Sequence, residues 1–426
     1  MKTYFYNKLS KSKREQLLKR SAVNFEGIYK IVKPILMDVK KNGLTAAIKY
    51  SNKFDGATDK NLLVNENDIN NAHKFLSADV KRAIKNAFKN IYKFHKEQVP
   101  TEYIIETQPG VTCSRKYLPI ESVGLYIPGG TAVLPSTLLM LGIPALIAGC
   151  KRIIVCSPPN DNQLHPAILY TANLLGIKEL YKIGGAQAVG LMAFGDEKIQ
   201  KVNKIFGPGN QFVTAAKNLV SIDPDGCAID MPAGPSELLV IADNSANPKF
   251  VAADLLSQAE HGNDSQVILL TDEIDIAKKV IAEVKCKASK LDRKNIVKNS
   301  LKNSFIVVTE NIEQAINFSN EYAPEHLILS VSNIRKYEKL ITNAGSLFLG
   351  NYSPESAGDY ASGTNHSLPT SCYAKTFGGV TVESFMKSMT TQRLTKSGLK
   401  DLSETIITLA ELEKLDAHAN AVKVRI

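Results

Sequence analysis

Apolar positions recur at two spacings along this chain, and each change of spacing marks a change of element. Between Phe25 and about Gln98 the period is helical. Ile28, Ile31, Val32, Ile35, Leu36 and Val39 share one face, as do Val80, Ile84, Ala87, Phe88 and Ile91, with Asp79 placed to cap the second helix. The period then shortens. Residues 102–107 and 111–118 read as extended and meet at Pro109-Gly110, which predicts a β-hairpin. Apolar runs follow at 122–127, 152–156, 179–183 and 204–206, then at 237–241, 266–270, 304–308, 327–331 and 346–349, with helical segments between them.

Short apolar strands alternating with longer helices predict parallel sheets covered on both faces. Two consecutive sets predict an α/β protein of two similar Rossmann-like domains, each on an incomplete, mostly parallel sheet. The expected divisions are an N-terminal helical segment (1–100), a first α/β domain (101–235), a second (236–376) and a C-terminal helical arm (377–426). In the arm, Leu402, Ile406, Leu409, Leu412 and Leu415 form an apolar stripe on a final helix that ends near His418. That stripe must be buried on the chain itself or on a partner subunit. Residues 132–149 are almost apolar enough to suggest a membrane span, but Pro135, Gly142 and Pro144 interrupt them, so a buried helix is expected.

A length of 426 residues fits two or more cores. The formal net charge of +10 raises the question of nucleic acid. Its lysines, however, are dispersed over helical faces, as in Lys40-Lys41-Asn42, and Trp is absent, so a solvated basic surface is the reading taken. Six cysteines without a Cys-x-x-Cys pair indicate free thiols in a reducing, cytoplasmic setting. Residues 1–20 are charged and lack an apolar run, so no secretory signal is expected.

Chemistry-bearing residues concentrate in a few places. In Glu321-Tyr322-Ala323-Pro324-Glu325-His326-Leu327, Pro324 ends a helix and leaves Glu325 and His326 on a turn at the mouth of a buried strand. Glycine turns at Gly124–Gly130, Gly184-Gly185-Ala186-Gln187 and Gly207-Pro208-Gly209-Asn210 each follow a strand and precede a helix, where backbone amides suit phosphates. None is Gly-x-Gly-x-x-Gly, and no acidic ribose ligand is evident, so a standard dinucleotide fingerprint is missing. Gln258 and His261 fall three apart at a helix end, Asp359 lies in a polar loop, and His418 sits in the last helix. Such donors suit Zn²⁺, although spacing supports only the Gln258–His261 half. Cys113 and Cys150 have no neighbouring His and read as inert thiols. His73, His95 and His165 read as surface residues.

Several segments together resemble the histidinol dehydrogenase family: Gly124–Gly130, Gly207–Asn210, Ala233-Gly234-Pro235-Ser236-Glu237, Gln258–Gly262, Glu321–Leu327, the Asp359 loop, Glu413 and His418. They run in family order to the end of the chain, with no departure at the functional positions. The resemblance implies a zinc-dependent, NAD⁺-linked, four-electron oxidation of L-histidinol to L-histidine. It implies metal ligands Gln258, His261, Asp359 and His418, and catalytic Glu325 and His326. Substrate contacts would be Ser236, Gln258, His261, His326, Asp359, Glu413 and His418, and NAD⁺ contacts Tyr126, Gln187 and Asn210. It further implies an intertwined homodimer whose C-terminal segment completes the neighbour's site. A zinc hydrolase with Glu325 as base and a nucleic-acid-binding protein are the alternatives.

Overall fold

A computed structural model describes residues 1–20, 25–56, 61–129, 133–231 and 234–426; Gly130, Ala132 and Ala233, singled out above, lie outside them. Among the described residues, three sheets form. Strands are numbered in chain order: β1 (Lys2–Phe5), β2 (Tyr103–Gln108), β3 (Val111–Pro119), β4 (Ser122–Tyr126), β5 (Arg152–Ser157), β6 (Glu179–Lys182), β7 (Lys204–Phe206), β8 (Ala228–Ile229), β9 (Glu237–Ala242), β10 (Gln266–Thr271), β11 (Phe305–Val308), β12 (His326–Ser330), β13 (Ser346–Leu349) and β14 (Met386–Leu394).

The first parallel sheet has the order β6-β5-β4-β7-β8. The second, also parallel, is β1-β11-β10-β9-β12-β13. Leaving β1 aside, both run third, second, first, fourth, fifth in chain order. The two sets of strands expected from the apolar pattern are thus two copies of one topology, each reversing direction beside its first strand. Strand β1, four largely exposed residues at a sheet edge, was too short and polar to stand out.

Other expectations need adjusting. The hairpin forms as β2–β3 around Gly110 (φ +76°), but β3 also pairs along its whole length with β14, giving a separate antiparallel sheet. Strand β14 lies in the arm expected to be helical. The final helix is two helices, Lys396–Leu412 and Asp416–Lys423, broken where Lys414 adopts φ +60°. Ser77, not Asp79, caps the Ala78–Lys96 helix, accepting from the Val80 N–H. His95 is not at the surface: it is fully buried, with Nδ1 on the Ile91 carbonyl (2.9 Å) and Nε2 on the Asn365 amide (3.2 Å).

The N-terminal helices cover the first sheet. Phe25–Asp55 packs on the Gly185–Phe194 and Gln211–Ile222 helices, and Ala78–Lys96 packs on Pro135–Ala148. The last of these is buried over most of its length, through Leu138, Leu139, Met140, Leu141 and Ile143, as expected for a core helix, with Leu146 exposed near its end. No helix among the described residues is long and apolar enough to cross a membrane. By contrast Leu409, Leu412 and Leu415 stay exposed, so the chain does not bury their stripe on itself.

Candidate active site

Ala323 closes the Ile312–Tyr322 helix in the left-handed region (φ +51°), outside the right-handed helical region that the following Pro324 disfavours, and the chain then enters β12 at His326. Glu325 and His326 are 6% and 4% exposed. The main chain of Glu237, first residue of the neighbouring β9, holds both. Its N–H donates to Glu325 Oε2 at 2.8 Å, and its carbonyl lies 3.0 Å from His326 Nδ1. A carbonyl only accepts, so Nδ1 carries a hydrogen. In the neutral ring the lone pair is then on Nε2. Among the described residues that atom is buried without a hydrogen-bond partner, 3.6 Å from Asp359 Oδ1.

Charges are shifted accordingly. Burial pushes Glu325 up to about 8, against the pull of His326 and the Glu237 N–H. Burial works against a charge on His326, but Glu325, Asp359 and Glu355 outweigh it and lift its pKa to about 10. Burial would also raise Asp359, yet His326 and the imidazoles of His366 and His261 hold it below the usual carboxylate range.

Beside the pair, ligating atoms of His261, Glu355 and Asp359 lie within 4.8 Å of one another. His261 follows the Pro248–Ala259 helix at the open edge, and Glu355 and Asp359 project from the Glu355–Tyr360 helix. Gln258 is fully buried against them. Its amide either donates to Glu355 while its oxygen accepts from Glu237 N–H (3.3 Å), or turns that oxygen onto the Glu355 carboxylate. The second orientation needs a proton or a cation between the two oxygens. An imidazole, two carboxylates and an amide oxygen are a donor set that fits a divalent, borderline-soft metal.

The glycine turns occupy the carboxyl ends of β4, β6 and β7, the side of an α/β sheet where ligands bind. A Cβ at Gly207 (φ +123°) would collide with the Tyr126 carbonyl oxygen, so the β4 and β7 turns touch at the strand-order reversal. Tyr126 is buried, and its hydroxyl accepts from the Gly185 N–H (3.0 Å). Gln187 is buried with Nε2 on Asp55 Oδ2 (3.2 Å). Burial raises the pKa of Asp55, an acidic group the sequence did not place here. Asn210 is exposed and caps the Gln211–Ile222 helix. The two regions connect: His366 reaches the Asp359 carbonyl through Nδ1 (2.8 Å) and Thr137, in the helix following β4, through Nε2 (3.1 Å).

Glu413 and His418 do not join this group. Both are exposed on the C-terminal helices, which rest on one another and on β14. Ser236 is half-buried directly before β9, its carbonyl accepting from Gln266 N–H (3.1 Å).

Residues 18–426 match the family described as histidinol dehydrogenase. The chain is 51% identical to the histidinol dehydrogenase of Photobacterium profundum, over 100% of this chain and 96% of that one. Its identity to that of Aliivibrio fischeri is also 51%, over 100% and 97%. The crystal structure of histidinol dehydrogenase from Elizabethkingia anophelis matches with a TM-score of 0.95 at 51% identity, covering 100% of this chain and 98% of that one. This chain belongs to the histidinol dehydrogenase family. It is accordingly an oxidoreductase acting on a CH–OH group, and the alternatives of a hydrolase and a nucleic-acid-binding protein fall away. In this histidinol dehydrogenase family member, sequence reading overlooked Glu355 and Glu237. Glu355 stands four residues before Asp359, one helical turn, and that spacing was a usable signal.

Proposed function

We propose that this chain oxidises L-histidinol through histidinal to L-histidine in histidine biosynthesis, in the cytoplasm, consuming two NAD⁺ and one water. The observation that carries the reading is the orientation of His326. Nδ1 is held by the Glu237 carbonyl, and Nε2, without a hydrogen-bond partner, points toward the His261–Glu355–Asp359 group. Gln258, His261 and Asp359 would hold Zn²⁺. When bound, the ion orients the amino alcohol and offsets the carboxylate charge that otherwise keeps a proton on His326.

His326 Nε2 takes the hydroxyl proton as hydride leaves the carbinol carbon for NAD⁺. Glu325 then takes a proton from the water that hydrates the aldehyde. Once His326 has released its first proton to solvent, Nε2 accepts the proton of the resulting gem-diol as a second hydride leaves to a fresh NAD⁺. Burial of the pair keeps bulk water and the aldehyde apart. Tyr126, Gln187 and Asn210, around the reversal in the first sheet, would contact NAD⁺, with the turn amides suited to its phosphates. Substrate would be held by Ser236, Gln258, His261, His326 and Asp359. Purified, zinc-loaded protein given histidinol and NAD⁺ should form two NADH per histidine. One NADH with free histidinal, or no NADH, would overturn the reading.

Glu325→Gln should impair histidinol oxidation more than oxidation of supplied histidinal hydrate, because only the first requires hydration on the enzyme. Equal losses would remove the water-activating role.

The remaining ligand, His418, and substrate-binding Glu413 would come from a second copy in a homodimer. The exposed Leu409, Leu412 and Leu415 stripe supports this, as does the exposure of Glu413 and His418 on their own chain. Mixing inactive His326→Gln and His418→Ala chains under exchange should restore about a quarter of wild-type sites, since half the dimers are mixed and each has one intact site. No recovery in verified mixed dimers would mean the sites are not shared.

A further inference from the structure

Glu237 serves the catalytic pair twice through its main chain, so the aim of both groups depends on where one peptide segment sits. Its side chain fixes that segment. The carboxylate is 1% exposed and takes two parallel hydrogen bonds from Arg20, Nε to Oε1 at 2.8 Å and Nη2 to Oε2 at 2.7 Å. A third comes from the Ser371 N–H at 2.8 Å. Arg20 also lies over the Tyr322 ring, 3.5 Å from its centroid, and Nη2 donates to the Ala323 carbonyl at 3.1 Å. Tyr322 and Ala323 directly precede Pro324-Glu325-His326. One guanidinium therefore ties the start of β9 to the segment that delivers the pair.

We infer that Arg20 and Glu237 are positioning residues for Glu325 and His326. The inference rests on the roles proposed for that pair. Stability alone does not account for the arrangement. A buried ion pair is often no better for stability than apolar residues of equal volume, and the rest of β9, Leu238 to Ala242, is buried and apolar. An apolar replacement cannot reproduce two parallel bonds of fixed direction, which orient as well as attract. The main-chain anchor must also hold still, since an error of about 1 Å at a reacting group costs on the order of 100-fold in rate.

The test compares Arg20→Met, Arg20→Lys and Glu237→Gln with the wild-type chain, as zinc-loaded enzyme, and repeats Arg20→Met in a His326→Gln background. Arg20→Met should lower kcat about 100-fold while KM and bound zinc stay within about twofold. Added guanidinium ion should restore part of that loss. In the His326→Gln background Arg20→Met should cost almost nothing more, because the pair through which it acts is already broken. Arg20→Lys and Glu237→Gln, which remove the two parallel bonds with less disturbance, carry the same comparison if Arg20→Met does not fold. An equal factor lost in both backgrounds, or KM and zinc content falling along with kcat, would overturn the inference. If His326→Gln itself kept wild-type turnover, the base assignment would fall. If His326→Gln were inactive and Arg20→Met fully active, only the positioning role would fall.

Discussion

His326→Gln should lower kcat for histidinol about 10³-fold and leave KM and zinc content nearly unchanged, the size of effect expected when a positioned general base is lost. Glutamine can keep a hydrogen bond to the Glu237 carbonyl through its amide N–H₂, so the local structure survives the change. What it cannot supply is the basic lone pair of Nε2, which has no hydrogen-bond partner among the described residues. If the residue serves both oxidations as proposed, turnover of supplied histidinal hydrate should fall by a similar factor. Zinc content is the control: a large loss of metal would make His326 a ligand and not the base.

Stripping the metal should abolish turnover, and stoichiometric Zn²⁺ should restore it. The same ion should stabilise the fold, because His261, Glu355 and Asp359 place their ligating atoms together beside Glu325, with burial lifting Glu355 to about 7. Zn²⁺ at 100 times its dissociation constant adds about 2.7 kcal/mol to stability if the unfolded chain does not bind it. Thermal melting with and without zinc measures this. Asp359→Asn should remove most of that gain along with activity, since it deletes one charged donor from the group. A zinc-stripped protein that melts at the same temperature with and without added Zn²⁺ would count against a built metal site.

The alternation of short apolar runs with helices was enough to read both parallel sheets, because β4, β5, β9, β10, β11 and β12 are buried and therefore almost purely apolar. Elements whose burial is partial escaped. Strand β14 is mostly exposed and carries Lys387, Thr390, Thr391 and Gln392, so its pairing with β3 left no apolar signature. The helix break at Lys414 is a left-handed turn by a residue with no special preference for it. His95 was misread because one polar residue on a helix gives no hint that Asn365, far away in sequence, will pair with it.

In the site, the Glu325–His326 turn was legible from Pro324. Gln258 and His261 stood out by helical spacing, although His261 lies just past the helix end, and the approach of His261 to Asp359 was expected only through family resemblance. Glu237 and Arg20 could not be found this way, since Glu237 holds the pair through atoms that every residue except proline possesses. Asp55 reaches Gln187 from the end of a long N-terminal helix, a contact that spacing cannot forecast.

Anomalous diffraction at the zinc edge, on crystals of the zinc-loaded protein with histidinol, tests the central claim most directly. The account predicts one strong peak per protomer, bounded by Gln258, His261 and Asp359 with His418 of the partner subunit, and the histidinol carbinol within hydrogen-bond reach of His326 Nε2. A peak elsewhere, or a carbinol out of reach of that nitrogen, would contradict it.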